Sequence, residues 1–80
     1  MPDEKIRRFI IDELGWQGPP DKLTDDYLLI KNHVLDSLGI YKLVTFLESE
    51  YDVEIQDEEL VADNFGTIGA ITRLLDSKSS

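Results

Sequence analysis

The chain has 80 residues, 41% of them apolar and 31% charged, which suffices for one small core and rules out two. Acidic residues outnumber basic ones by 17 to 8, leaving a net charge of -9. Such a surface repels phosphate backbones and anionic headgroups, so nucleic acid and membranes are poor candidates and proteins with basic patches are better ones. With no cysteine, neither a disulfide framework, a thiolate nucleophile nor a Cys-rich zinc site is available, and any thiol chemistry must be imported.

Met1-Pro2-Asp3-Glu4-Lys5 lacks the apolar stretch of a signal peptide, and the apolar run Tyr27 to Ile30 is far shorter than the ~20 residues of a membrane span. A cytoplasmic location, without membrane insertion, is expected. Ile6, Phe9, Ile10 and Leu14 recur at helical spacing behind Pro2, Asp3 and Glu4, and Gly15 is placed to stop the run, so a helix is predicted over about 3 to 14. From Gly15 to Asp36 the periodicity dissolves among Gly15, Gly18, Pro19, Pro20 and Thr24-Asp25-Asp26. A connection this long needs apolar anchors; Trp16, Leu23, Leu28, Leu29, Ile30, Val34 and Leu35 supply them, with a short helical turn around Asp26 to Ile30, and the segment should wrap the bundle.

The helical signal is strongest from Ser37, where Ile40, Leu43, Val44, Leu47 and Tyr51 share one arc, Asp36 or Ser37 serves as cap, and Asp52 and Val53 end the run. Asp57 is placed to cap a minor third helix through Glu58, Glu59, Leu60 and Val61. Thr67 can cap a last helix whose stripe is Ile68, Ile71, Leu74 and Leu75 and whose end falls near Asp76. The expectation is an all-α, small four-helix bundle, three main helices plus one short one, with a long first loop: a single domain over 1–76 and a frayed, flexible tail over 77–80.

The run Val34-Leu35-Asp36-Ser37-Leu38-Gly39, followed by Leu43-Val44-Thr45-Phe46-Leu47-Glu48, resembles the acyl and peptidyl carrier protein family, in its discrete form. The likeness extends to the long first loop, to Glu54-Ile55-Gln56-Asp57-Glu58 and to Asn64-Phe65. It implies a non-catalytic carrier whose Ser37 bears 4′-phosphopantetheine, on which acyl or aminoacyl intermediates ride as thioesters, with Asp36 helping a phosphopantetheinyl transferase hold Mg²⁺. A helix N-terminus suits a phosphate ester because it offers unpaired N–H groups and the positive end of the macrodipole. The partners implied are that transferase, an acyl- or aminoacyl-loading ligase and synthase or transferase enzymes, met by a monomer through Leu38, Gly39, Tyr41, Lys42, Thr45 and Glu48.

Other readings are weaker. Catalysis by the chain itself would have to use Ser37, His33 and Asp36, but no oxyanion or phosphate loop accompanies them, and His33 reads as an exposed loop side chain. The acidic groups Asp25-Asp26 and Asp57-Glu58-Glu59 lack calcium-loop spacing and read as solvated caps, so no metal site is expected. An unmodified helical adaptor is the remaining rival. Fatty-acid carriers typically read Gly-Ala-Asp-Ser-Leu-Asp with a glutamate before Leu-Val, whereas Val34-Leu35, Gly39 and Lys42 stand at those places here, and Phe46 stands where they commonly have alanine. Leu38, Lys42, Thr45 and Ser49 form the face of the second helix opposite its core side, with Glu48 and Glu50 at its borders. These departures resemble carriers of specialised polyketide or nonribosomal pathways more than a fatty-acid acyl carrier protein; a D-alanyl carrier protein is a further alternative.

Overall fold

A computed structural model describes residues 2–79. The first helix, α1, spans Pro2–Glu13, with Pro2 at its first position and Asp3 and Glu4 in its first turn, where acidic groups complement the helix dipole. Ile6 and Ile10 are fully buried. The helix closes with Leu14 N–H bonded to Ile10 O, and Gly15 follows at φ +76°, the left-handed conformation that glycine adopts without steric cost.

The connection from Leu14 to Asp36 wraps the bundle as expected. It contains a 3-10 turn at Pro20–Lys22 that the periodicity did not signal. Leu23, Leu29 and Leu35 are its buried anchors. Trp16 packs edge-on against Tyr27, with ring centroids 5.1 Å apart, and its Nε1 donates to Pro19 O. Leu28, expected among the anchors, is instead 46% exposed. The helical turn expected at Asp26 to Ile30 forms slightly later: Asn32 N–H bonds Leu28 O and His33 N–H bonds Ile30 O. His33 then reverses the chain at φ 62°, and Val34 and Leu35 N–H both return to Leu29 O. This reversal buries Leu29 and Leu35 while turning Leu28 outward, which the run of leucines alone does not reveal. Arg7 ties the loop to α1 through Leu23 O and an ion pair with Asp25, and the hydrogen bonds Leu29 N to Gly66 O and Gly69 N to Asp25 O tie it to the C-terminal half.

The second helix, α2 (Ser37–Tyr51), buries Leu43 and Leu47 and ends at Asp52, whose φ of 53° is left-handed. Asp tolerates this conformation better than most residues. The minor third helix lies elsewhere than expected. Asp57–Glu59 forms only a 3-10 turn, preceded by Gln56 rather than capped by Asp57, and the third α-helix, α3, is the four-residue Ala62–Phe65. Phe65 is fully buried, and Asn64 Nδ2 donates to Glu59 O, so this turn is held by its aromatic anchor and by a side chain reaching back. The last helix, α4 (Ile68–Ser79), buries Ile68, Ile71, Leu74 and Leu75, with Thr67 Oγ1 accepting Ala70 N–H as its cap.

Helix α4 packs against α1 and α3. It continues past the expected end at Asp76 because Ser77 Oγ bonds Leu74 O and Lys78 Nζ lies 2.7 Å from Glu59 Oε1; Ser80 of the expected tail lies outside the described residues. The architecture is the expected all-α bundle of four helices. None of its helices, among the described residues, is long and apolar enough to cross a membrane.

The Glu59 carboxyl is held below the ordinary glutamate range, first because it accepts Gln56 N–H and then because Lys78 donates to it. A carboxyl with a depressed folded-state value stabilises the fold above its unfolded pKa and loses that contribution as pH falls through the folded value. Glu59→Gln should therefore lower the melting temperature near neutral pH and leave it unchanged in acid below that value. Thermal melts across this range check the linkage; a gap that stays constant with pH would refute it.

Candidate functional site

Leu35, Asp36 and Ser37 face three environments in succession. Leu35 is 1% exposed and anchors the end of the loop in the core. Asp36 has extended backbone angles and its Oδ1 accepts Gly39 N–H at 2.7 Å, while its carbonyl receives Ile40 N–H at 2.8 Å. The cap falls to Asp36, so Ser37 becomes the first helical residue and its side chain is exposed. A hydroxyl is thereby presented at the end of α2 where the first-turn N–H groups precede the intrahelical ladder.

Gly39 departs from the expectation that it meets partners. It is buried, and a Cβ there would stand 3.2 Å from Asp36 Oδ1, 3.4 Å from Leu35 and 3.7 Å from Leu14. A side chain there would be in contact with the cap and with both leucines. Leu38 and Tyr41 are 65% and 63% exposed, respectively, and lie in the first turns of α2 beside Ser37. Isolated exposed apolar residues are ordinary; two adjoining the exposed Ser37 give that end of the helix an apolar contact surface.

Lys42, Thr45 and Ser49 continue the exposed face, with Thr45 Oγ1 donating to Tyr41 O. Glu48 lies at one border, half-buried, with Oε2 accepting Ile55 N–H at 3.0 Å. Glu50 lies at the other, paired with Lys5 Nζ at 2.6 Å. Both bordering carboxylates are thus engaged within the chain, and Glu48 in particular holds the segment after α2 instead of projecting freely. The Lys5 ammonium is held above its usual value, chiefly by its hydrogen bond to Glu50. Sequence periodicity gave no sign of either pairing, because both partners lie on other elements. The same holds for the stack of Phe46 on Phe9, with ring centroids 4.5 Å apart and planes 20° apart, at the seam of α1 and α2.

His33 is exposed on its left-handed turn, and no hydrogen bond among the described residues links it to Ser37.

A small all-α bundle with an exposed serine opening its longest helix is the architecture of the helical carrier domains that the sequence resembles. No family model matches the chain. Over 57 residues it is 40% identical to an acyl carrier protein of Akkermansia muciniphila, an alignment covering 71% of this chain and 69% of the relative. The chain belongs to the acyl carrier protein family.

If Asp36 fixes the start of α2, Asp36→Ala should cost about 1 kcal/mol of stability, the ordinary value of a lost N-cap. Ser37→Ala, one residue on, should change stability much less. Urea denaturation of the three proteins measures the difference, and equal midpoints for wild type and Asp36→Ala would remove the cap from the account.

Proposed function

We propose that this protein is a non-catalytic carrier whose Ser37 Oγ bears 4′-phosphopantetheine through a phosphodiester. The observation that carries the reading is the exposed Ser37 hydroxyl at the first position of a helix capped by the preceding aspartate. Membership of the acyl carrier protein family supports it, and so does the absence of cysteine from the sequence. When bound, the group supplies a terminal thiol on which an acyl or aminoacyl cargo is held as a thioester.

The chain's own residues fit this attachment. Ser37 Oγ is open to a transferase; in the transfer it forms the new O–P bond as the pyrophosphate P–O bond of coenzyme A breaks and adenosine 3′,5′-bisphosphate leaves, while its proton passes to a base of that enzyme. Asp36 commits one oxygen to its cap, and its carboxylate is otherwise exposed. A role in sharing the Mg²⁺ that would neutralise the coenzyme A pyrophosphate is supported by that exposure, since Mg²⁺ takes one or two carboxylates together with phosphate oxygens. The phosphodiester then sits against the positive end of α2. Leu38, Tyr41, Lys42 and Thr45 provide the surface that enzymes acting on the cargo would meet, and Glu48 contributes to it indirectly by holding Ile55.

The finer reading is a carrier of a specialised biosynthetic pathway. Supporting it is the outer face of α2, where Lys42, Thr45 and Ser49 are exposed and both bordering glutamates are already engaged. Such a face offers little to a basic docking patch. Rim charges of this kind mainly set association rates and reject wrong partners.

Incubation with coenzyme A, Mg²⁺ and a broad-specificity transferase should add the mass of one phosphopantetheine, and Ser37→Ala should block the addition. Intact-protein mass spectrometry decides; no gain by the wild type with several transferases, or an equal gain by the variant, overturns the assignment and leaves the unmodified adaptor. On the finer reading, Lys42→Glu should improve turnover of the holo protein by fatty-acid elongation enzymes and impair loading by its own ligase. Rates unchanged with both enzyme classes would take this face out of partner choice.

A further inference from the structure

We infer that the Tyr41 ring is a shelf for the first segment of the arm on Ser37, packing against the two methyl groups next to the phosphate and so setting the direction in which the arm leaves the helix. The inference rests on the carrier reading above and adds a positioning residue to it.

Tyr41 differs from the other two tyrosines of the chain in how little engages it. Tyr27 lies edge-on to Trp16, and Tyr51 is half-buried, with burial the chief cause that pushes its phenol up. Tyr41 is 63% exposed. Among the described residues its ring stacks on no other ring, and the Thr45 hydroxyl bonds its backbone carbonyl and not its phenol. An aromatic side chain carries a large apolar surface that gains from being covered, and the hydroxyl of tyrosine lets its tip stay in water while the face is covered.

Position decides what this ring can meet. Ser37 is the first residue of α2 and Tyr41 stands four further on. At 1.5 Å and 100° per residue, Tyr41 lies about 6 Å along the axis and about 40° round it from Ser37, whereas Leu38 and Lys42 lie about 100° and about 140° round. Residues four apart are neighbours on the helix surface, with Cβ atoms about 5–6 Å from one another. Aromatic side chains in helices point back toward the N-terminus, so the surface that such a residue covers lies over the turn before its own Cα. The turn before Tyr41 is the one that carries Ser37. Ile40, the other near neighbour on that side, is half-buried and leaves the outer surface to the ring.

The near end of the arm matches the shelf. Beyond the phosphate oxygen, phosphopantetheine has one methylene and then a carbon bearing two methyl groups, its most apolar part, before the hydroxyl and the amides begin. With phosphorus on Ser37 Oγ, these methyls are a few bonds from the helix surface and on the side that Tyr41 covers. The ring face takes the methyls, while the phenol and the phosphate both remain in water. A contact this small would not hold a free ligand. Tethering changes that, because a short flexible tether gives the attached group a millimolar effective concentration at a site within its reach.

The test transfers phosphopantetheine from coenzyme A to wild type, Tyr41→Phe, Tyr41→Ala and Leu38→Ala. Intact-protein mass spectrometry establishes loading, and amide spectra establish that each fold is intact. Proton NMR then reads the two methyl signals of the arm. The expected result in the wild type is cross-relaxation between those methyls and the Tyr41 ring, and an upfield ring-current shift of the methyls relative to free 4′-phosphopantetheine. Tyr41→Phe, which keeps the ring, should preserve the upfield shift, and Tyr41→Ala should return the signals to their free positions. Leu38→Ala removes apolar surface on a different line of the helix, at a side chain 65% exposed, and should leave the shift as in the wild type. Wild-type methyl signals at their free positions without cross-relaxation to Tyr41, or an upfield shift that survives Tyr41→Ala, overturn the shelf and leave the carrier reading standing. The wild-type spectrum decides by itself where a Tyr41 variant loads poorly. Failure of the wild type to load removes the carrier reading and this proposal with it.

Discussion

The structure depends on the hydrogen bond from Gly39 N–H to Asp36 Oδ1, because that bond sets where α2 begins. A cap one residue later would make Ser37 spend its own side chain on the helix end. With Asp36 in that role, Leu35 is drawn into the core behind it and Ser37 is turned outward ahead of it. Gly39 lies close against this bond: a Cβ there would stand 3.2 Å from Asp36 Oδ1 and 3.4 Å from Leu35. Asp36, Ser37 and Gly39 therefore form one local unit: the carboxylate caps, the glycine N–H is the group it caps, and the Ser37 hydroxyl is left exposed.

That unit is only as well placed as the loop that delivers it. The segment from Leu14 to Asp36 has no long helix of its own, and ordering so many residues opposes folding. Leu23, Leu29 and Leu35 offset part of this cost by burial, but they are widely spaced. The bonds Leu29 N to Gly66 O and Gly69 N to Asp25 O, together with the reach of Arg7 to Leu23 O, supply the rest of the fastening. They join the loop to both ends of the chain, so the geometry before Ser37 is coupled to the turn between α3 and α4 as well as to α1.

Much of this was legible because it is local. The stripes of α1, α2 and α4, a cap at Asp36 or Ser37, the cap at Thr67 and the stop at Asp52 all follow from residues within a few positions of one another, where periodicity and capping rules operate. What was not legible depends on contacts between elements. Whether Leu28 or Leu29 faces inward is decided by the left-handed reversal at His33. The four-residue α3 forms at Ala62–Phe65 instead of over the acidic Asp57-Glu58-Glu59 run because Phe65 has a core to enter and Asn64 a carbonyl to reach. The last helix continues beyond Asp76 because Lys78 finds Glu59, nineteen residues earlier. At the candidate site the same division holds: Asp36 and Ser37 are read from adjacent residues, whereas the burial of Gly39 against Leu14 and the bond from Glu48 to Ile55 need the folded chain.

Charge is distributed unevenly with respect to this site. Of the eight basic residues, Lys5, Arg7 and Lys78 pair with Glu50, Asp25 and Glu59, each joining segments distant in sequence. Exposed or partly exposed pairs of this kind contribute little stability individually, but they hold their carboxylates in fixed directions along the bundle. Glu50 is drawn toward α1 and away from the outer face of α2, while Glu48 is drawn to Ile55 on the other side. Lys42 is left on that face with hydroxyl neighbours and, among the described residues, no ion pair. The net charge of -9 still attracts basic surfaces at long range. Within a Debye length of about 10 Å at 0.1 M salt, however, the exposed groups beside Ser37 are the Asp36 carboxylate, Leu38 and Tyr41, with Lys42 further along α2. On the carrier reading, long-range attraction and short-range composition therefore select on different partner features, the second acting only once the first has brought a partner close.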